Sequence, residues 1–312
     1  MQENRIKFSI TIPAYKSKFL QECIDSVMAQ TYSYFELIIL NDASPEPIDE
    51  IVSSYNDPRI RYYRNDKNVG AERIVDNWNK CLEYATGDYL ICMGDDDKLL
   101  PCCLEEYAKL IEKFPGLDVY HGWTEIIDEE SVPYSIQQQR PEQESVYAAI
   151  WGRMHGRLQY IGDSLFAVES LRKAGGFYYL PFAWGSDDIT FFRAAAVTGV
   201  ANTQVPVFQY RENRYSISSS GFVDGKMDAL MDYFQWIDTF LEHHPGNGVD
   251  ALYCKNLQET ALGYKLEIKK LEQITADLRA RGIGRIFHWM KLKGKYNISC
   301  ATLVRAAFAS LK

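Results

Sequence analysis

No stretch of this 312-residue sequence approaches the roughly 18 to 20 consecutive apolar residues of a membrane-spanning helix, so no helical span is expected. Its seven cysteines include no CxxC pair and no Cys/His spacing suited to zinc. The five histidines show no ligand spacing either, and no histidine-bound metal is expected. The start, Met1-Gln2-Glu3-Asn4-Arg5, lacks the apolar core of a secretory signal. Together with an odd number of scattered thiols, this reads as a reduced, cytoplasmic protein. Internal repeats and low-complexity tracts are missing as well. With 46% apolar and 24% charged residues, the composition excludes a disordered chain, a collagen-like fibre and a disulfide-stapled mini-protein. The length suits one large domain or two modest ones.

The formal net charge of −8 is unevenly spread. Lys265 to Lys312 carries 11 Lys/Arg against 3 Asp/Glu, which leaves 23 basic against 39 acidic residues for the rest. That acidic body lacks the basic stripes and stacking motifs of nucleic-acid binders, so no nucleic acid is expected as partner. The basic tail suits an anionic membrane surface, or an acidic face of the same protein.

What is present is an alternation of strand and helix signals. Phe8 to Ile12 is a β-rich run stopped by Pro13, and Phe19 to Met28 has helical spacing. FELIIL, Phe35 to Leu40, is too apolar for a half-exposed strand and reads as a buried one. A short helix near Ile48 to Tyr55, a strand at Ile60 to Tyr63, a helix at Ile74 to Ala85 and a strand at Tyr89 to Met93 follow. This order predicts a mainly parallel sheet with right-handed crossovers. Ligands of such sheets bind at the carboxyl ends of the strands. Three polar clusters follow strand ends here: Pro13-Ala14-Tyr15, Asn41-Asp42-Ala43-Ser44 and Asp95-Asp96-Asp97.

Later in the chain, helical spacing covers Pro101 to Phe114, a strand signal Asp118 to Tyr120, and an exposed loop is expected over Glu129 to Glu144. Asp187 to Thr198 reads as a helix and Val205 to Tyr210 as a strand. From Asp224 the pattern is helical, interrupted at Pro245-Gly246-Asn247-Gly248 and Gly282-Ile283-Gly284.

Taken singly, each candidate residue has a plain alternative. Three adjacent carboxylates repel one another, which suits Mg²⁺ or Mn²⁺ with a diphosphate; an acidic turn capping the next helix is the other reading. Asp42 suits a base or ribose, or an Asx-turn. Tyr15 could stack on a base or be an ordinary surface aromatic. Arg73 could hold a ribose or base carbonyl, or be a solvated helix residue.

In order and at these distances, FSITIPAY, FELIILNDAS and NVG…R…N…ATGDYLICMGDDDKLLP resemble the family 2 glycosyltransferases of the GT-A fold. The resemblance covers residues 1–105 well and continues more loosely to Ser218. It implies an inverting enzyme that moves a hexose or N-acetylhexosamine from a UDP-sugar to a glycan or lipid-linked acceptor, in surface polysaccharide synthesis, with Mn²⁺ or Mg²⁺. By position, Pro13, Ala14 and Tyr15 would line the nucleotide pocket, Asp42 would contact uracil and Arg73 would support the base. Asp95 would meet the ribose and Asp96 would be the metal ligand. Many members carry an acidic residue where Gly94 stands, so which of Asp95 and Asp97 assists Asp96 is open.

Trp184-Gly185-Ser186-Asp187-Asp188 before a helix is similar to the family's acidic pair, which implies Asp187 as catalytic base and Asp188 as the second candidate. A helix cap is the plain alternative. Tyr210 to Ser218 resembles the family segment after the last strand. Asn213 stands where His is frequent, which shifts a diphosphate role to Arg211 or Arg214. Gly162-Asp163-Ser164 would border the acceptor pocket.

The expected architecture is α/β: a GT-A catalytic domain over residues 1–222, with a nucleotide-binding half over 1–105 and an acceptor-binding half over 106–222, then a helical region over 223–312. In that region Ile286, Phe287, Trp289, Met290 and Leu292 lie among basic residues. Such a helix suits peripheral contact with the inner face of the cell membrane, or packing in a homodimer. Two other functions stay open: a nucleotide-sugar-binding protein without turnover, and a sugar-phosphate nucleotidyltransferase. The latter class usually opens with a Gly-rich loop, which Pro13-Ala14-Tyr15-Lys16 does not offer.

Overall fold

The structure, a computed structural model, describes residues 5–213 and 223–311. The first half alternates as the sequence predicts: β1 (Phe8–Ala14), α1 (Leu20–Met28), β2 (Phe35–Asn41), α2 (Ile48–Ser53), β3 (Ile60–Arg64), α3 (Ile74–Tyr84) and β4 (Tyr89–Cys92). Next come β5 (Lys98–Leu99), α4 (Cys103–Lys113), β6 (Val119–Ile127), β7 (Pro133–Ile136), β8 (Gln143–Glu144) and α5 (Val146–Met154). β9 (Ser164–Ala167), α6 (Val168–Lys173), α7 (Ser186–Thr198) and β10 (Val200–Arg211) complete the sheet.

Every residue of β2 is buried. The reason is that both sheet faces are covered. Leu37 and Ile39 pack with Leu20, Ile24 and Val27 of α1, whereas Ile38 packs with Val75, Trp78 and Leu82 of α3. Successive side chains of a strand point to opposite faces, so a strand between two cores is apolar throughout.

The main strand order is β3-β2-β1-β4-β9-β6-β10-β5, with β7 added to β6 and β8 to β10. β3, β2, β1 and β4 are parallel to their neighbours, as are β6 and β10. β9 runs antiparallel between β4 and β6, so the whole sheet is mixed. After β3 the chain crosses back to the other side of β1. The gap between the loops following β1 and β4 is therefore the switch point where such sheets bind ligands.

Three local expectations are corrected. The segment 129–144 is not wholly a loop: it contributes β7, a fully exposed edge strand, and the short β8. The strand signal at 118–120 extends to Ile127, and the one at 205–210 begins at Val200. The β6–β10 register shifts on both sides of Pro206, which is how the strand accommodates it.

The remaining elements are helical: α8 (Val223–His243), α9 (Gly248–Asn256), α10 (Leu262–Arg281), α11 (Ile286–Leu292) and α12 (Cys300–Ser310). They break at the two expected interruptions, α10 ending before Gly282 at φ +89°, and also between α11 and α12, where no break was expected. Met227, Leu230 and Ile237 of α8, Trp289 of α11 and Ala306 of α12 belong to the core that also holds Val75, Ile150 and Phe191. Among the described residues, no helix is long and apolar enough to cross a membrane.

Candidate active site

A cleft of about 880 Å³ opens over the carboxyl ends of β1, β2 and β4. Pro13, Tyr15, Asp42, Asp95, Asp96 and Asp97 line one end. Asp187, Asp188 and Arg153 line the other, with Tyr233 of α8 and Lys265 and Lys269 of α10.

At the first end, acidic side chains fasten the loops to one another. The Asp42 N–H donates to the Ala14 carbonyl at 2.9 Å, carrying the β1–β2 pairing one residue past the strands. Its carboxylate accepts from Asn65 Nδ2 at 2.8 Å and the Val69 N–H at 3.1 Å, drawing in the loop after β3. Asp95 Oδ2 accepts the N–H groups of Tyr15 and Lys16, both at 2.7 Å. The turn after β1 and the turn after β4 are thus one unit.

The three consecutive aspartates face three ways. Asp95 holds the β1 turn, and burial with the nearby Asp96 pushes its carboxyl up to about 6. Asp97 Oδ1 accepts from the Arg211 N–H at 2.9 Å, and burial followed by Asp96 pushes its carboxyl well above the usual range. Asp96 is half-buried, and its Oδ2 accepts from Asn213 Nδ2 at 2.8 Å. Gly94 leaves room for this arrangement: a Cβ there would lie 2.8 Å from Asp96 Oδ1 and 3.0 Å from Asp97 Oδ2. An acidic residue at position 94 would therefore need a different triplet conformation.

At the second end, the chain turns sharply before α7. Phe182 and Ala183 have φ of +61° and +53°, and Gly185 has +95°. Two non-glycine residues in the left-handed region carry strain, roughly 1 kcal/mol or more each, which the surrounding packing must hold. Ser186 Oγ accepts from the Leu180 N–H at 2.9 Å and closes the turn. A Cβ on Gly185 would approach Tyr233 Cδ2 to 2.6 Å, so glycine lets α8 pack directly on the turn.

The two acidic residues of that turn differ in environment. Asp188 is 2% exposed and accepts from Arg153 Nε at 3.0 and 2.7 Å, with the Tyr233 hydroxyl at 2.9 Å. Asp187 is half-buried at the cleft wall and has no side-chain hydrogen-bond partner among the described residues. Burial and Asp188 push its carboxyl up to about 7, against the opposing pull of Arg153.

The other candidates are placed as follows. Ala14 is buried within β1, below the cleft. Arg73 is exposed beside the rim and pairs with Asp76 at 2.7 Å, while its neighbours Ala71 and Ile74 line the cleft. Arg211 is not brought to the cleft. Its guanidinium is 1% exposed or less and donates to the carbonyls of Asp96, Asp128 and Glu129, to Ser131 Oγ and to Glu22. Arg214 lies outside the described residues. Asp163 is buried beneath the floor, where it accepts from Gln137 and the Tyr160 N–H, while Tyr160 and Ile161 reach the cleft. Sequence reasoning missed Arg153, Tyr233, Lys265 and Lys269. Only the basic surplus that begins at Lys265 could have pointed to any of them.

Fold and cleft define the class: an α/β protein of the GT-A type, its acidic site at the sheet's switch point. The chain belongs to glycosyl transferase family 2, whose family model matches residues 9–170. A colanic acid biosynthesis glycosyl transferase assigned as putative, WcaA of Escherichia coli, is 36% identical over 102 residues, 32% of this chain and 36% of that protein. Among solved structures, residues 1–349 of TarS from S. aureus with UDP-GlcNAc match at a TM-score of 0.60 and 15% identity, covering 98% of this chain and 91% of that one. The mannosyltransferase PcManGT from Pyrobaculum calidifontis, in complex with GDP-Man and Mn²⁺, matches at 0.54 and 15% identity, over 98% and 87%. The matched stretch spans about half the length of the first curated relatives.

Proposed function

We propose that this glycosyltransferase is an inverting enzyme that moves a hexose or N-acetylhexosamine from a UDP-sugar to a glycan or lipid-linked acceptor of a surface polysaccharide. The observation that carries the proposal is the pairing, across one cleft, of an aspartate turn at the switch point with a half-buried Asp187 whose carboxylate takes a backbone hydrogen bond from Asp188 and, among the described residues, no side-chain partner. In this reading Pro13, Tyr15 and Asp42 receive the nucleotide, and Asp95 holds their loop in place. Residues 1–105 serve the donor, residues 106–222 the acceptor, and the helices of 223–312 close the acceptor side.

The donor set of the aspartate turn fits a hard divalent cation such as Mn²⁺ or Mg²⁺. Two of its carboxylates are buried together with raised pKa values, a concentration of negative charge that a cation relieves. Among the described residues, no group of three His, Cys, Asp or Glu side chains is placed to hold an ion by itself. An ion held by Asp96, with Asp95 or Asp97, would therefore need substrate phosphate and water to complete its shell. When bound, such an ion offsets charge on the departing diphosphate.

Transfer with inversion is a single in-line displacement. An acceptor hydroxyl next to Asp187 attacks the anomeric carbon from the face opposite the nucleotide, through an oxocarbenium-like transition state. The Asp187 carboxylate takes the hydroxyl proton as the bond forms, a contribution of about 10² to 10⁴-fold. Asp188 is held by Arg153 and Tyr233, so it positions the turn rather than taking a proton.

Thermal shift with UDP and GDP, each with and without Mn²⁺, tests the donor reading. A ligand that binds only the folded state stabilises it by about 2.7 kcal/mol at a hundredfold excess over its Kd. UDP with Mn²⁺ is expected to give the largest shift. An equal shift with GDP would overturn the nucleotide assignment, and an equal shift without metal would overturn the cation.

The basic tail adds a docking proposal. Phe287 and Met290 of α11, and Val304 and Phe308 of α12, are exposed at helical spacing among Arg279, Arg285, Lys291 and Arg305. Apolar side chains flanked by cations suit an anionic lipid surface, where a lipid-linked acceptor would reside.

A further inference from the structure

Six aspartates line the cleft: Asp42, Asp95, Asp96, Asp97, Asp187 and Asp188. An acceptor entering this field would be expected to be neutral or cationic, were it not for the second end. There α10 brings Lys265 and Lys269 to the wall, one helical turn apart. Lys265 is half-buried and makes no hydrogen bond or ion pair among the described residues. Burial and two like charges, Lys269 and Arg153, pull its pKa below the usual lysine value, with Glu272 opposing. Glu272 itself pairs with Lys269 at 2.7 Å, and Arg153 is engaged by Asp188. Lys265 is therefore an ammonium at the cleft wall on which Lys269 and Arg153 act against Glu272, and that glutamate is itself paired with Lys269. An anionic ligand would add the partner that this ammonium lacks within hydrogen-bond reach among the described residues.

The donor does not account for it. α10 packs on α8, whose Tyr233 hydroxyl donates to Asp188. Lys265 shares Arg153 as a neighbour with Asp187, at the end where the acceptor hydroxyl would sit. Met154, Leu158, Leu230 and Phe234 add apolar wall beside it, suited to the faces of a sugar ring.

We propose that the acceptor carries an anionic group, a phosphate or a carboxylate, and that Lys265 and Lys269 bind it at the Asp187 end of the cleft. The proposal rests on the transferase reading above and names the acceptor class of the same site. It makes the two lysines specificity residues: they pay the electrostatic cost of drawing an anion into an acidic cleft.

The test uses the full chain and calorimetry, with and without UDP and Mn²⁺. Glucose is compared with glucose 6-phosphate, glucuronate and farnesyl phosphate, which separate a sugar phosphate, a carboxylate and a lipid phosphate as the source of the anion. At least one anion is expected to bind about tenfold tighter than glucose, as suits a hydrogen-bonded charge pair. Lys265→Gln/Lys269→Gln should abolish that preference and leave UDP affinity and melting temperature unchanged, while Lys265→Arg/Lys269→Arg should retain it. Glucose binding as well as all three anions, or a preference that survives the double glutamine variant, would overturn the acceptor proposal. Failure of the wild-type protein to bind UDP would overturn the donor reading alone, since the anion preference is also read without UDP.

Discussion

Arg153 Nε donates to both carboxylate oxygens of Asp188, at 3.0 and 2.7 Å, and so divides the labour of two adjacent aspartates. The ion pair fixes Asp188 as the buried anchor of the turn before α7. It leaves Asp187, one residue earlier, as the carboxylate presented to the cleft.

Substitution separates the two. Asp187→Asn is expected to lower transfer by at least about 10²-fold while UDP affinity holds and the protein is no less stable. Asp188→Asn breaks a buried pair and is expected to cost about 3 kcal/mol of stability, read as a lower melting temperature. A protein that binds nucleotide-sugar without turnover would show no transfer for Asp187→Asn to remove.

The Asp187 carboxyl, pushed up to about 7 by burial and Asp188, sets opposite signs for activity and stability. A base works deprotonated, so kcat/KM should rise as pH climbs through about 7 and then level. Stability runs the other way. The folded value lies above the ordinary 3.8, so the native state binds the proton more tightly and stability falls as pH rises between the two values. Asp187→Asn should remove both effects: melting curves across pH would show the variant gaining on the wild type toward alkaline pH. A pH-rate profile already flat at pH 6 would contradict the assignment.

Gly94 guards the aspartate turn. Gly94→Ala places a methyl 2.8 Å from Asp96 Oδ1, which must move. The apparent Mn²⁺ affinity of the UDP complex is expected to drop about tenfold or more, as when the groups that position a metal's ligands are altered. Unchanged metal titrations would remove Asp96 as a ligand.

Arg211 ties β10 to two loops and to α1 from below the cleft. Arg211→Met leaves several buried carbonyls and Ser131 without their donor, and should lower stability by about 3 kcal/mol. UDP affinity of the folded variant should change little. A selective loss of UDP binding with normal melting would instead make Arg211 a phosphate ligand.

Lipid docking is tested in the full chain, because Trp289 and Ala306 are core residues and truncation at Gly282 would unpack them. Phe287→Ser/Phe308→Ser should lose flotation with phosphatidylglycerol vesicles and keep its melting temperature. Undiminished flotation would remove these two side chains from any membrane contact.

Much of the donor half was legible in one dimension. β1, β2 and β4 are short apolar runs ended by polar turns, and the elements between them carry clear helical periodicity, so their order implies the parallel sheet and its binding edge. Asp42 is one step past β2, where a residue has a nearly fixed position, and Asp95 and Asp96 fall in the turn that follows β4. β7 and the full length of β10 were not legible: an exposed edge strand carries no apolar alternation, and the start of β10 that was missed includes the polar run Asn202-Thr203-Gln204.

The sequence by itself determined the family, the sheet's order in its first half, and the aspartates that sit where strands stop, since each depends on local pattern and near neighbours along the chain. Only the tertiary structure decided which carboxylates of each acidic run are tied down by protein donors. That choice is made by partners far away in sequence: Arg153 and Tyr233 for Asp188, the Tyr15 and Lys16 amides for Asp95, and the Arg211 amide for Asp97. A buried carboxylate goes where its hydrogen-bond donors are, and folding, not spacing, brings those donors to it.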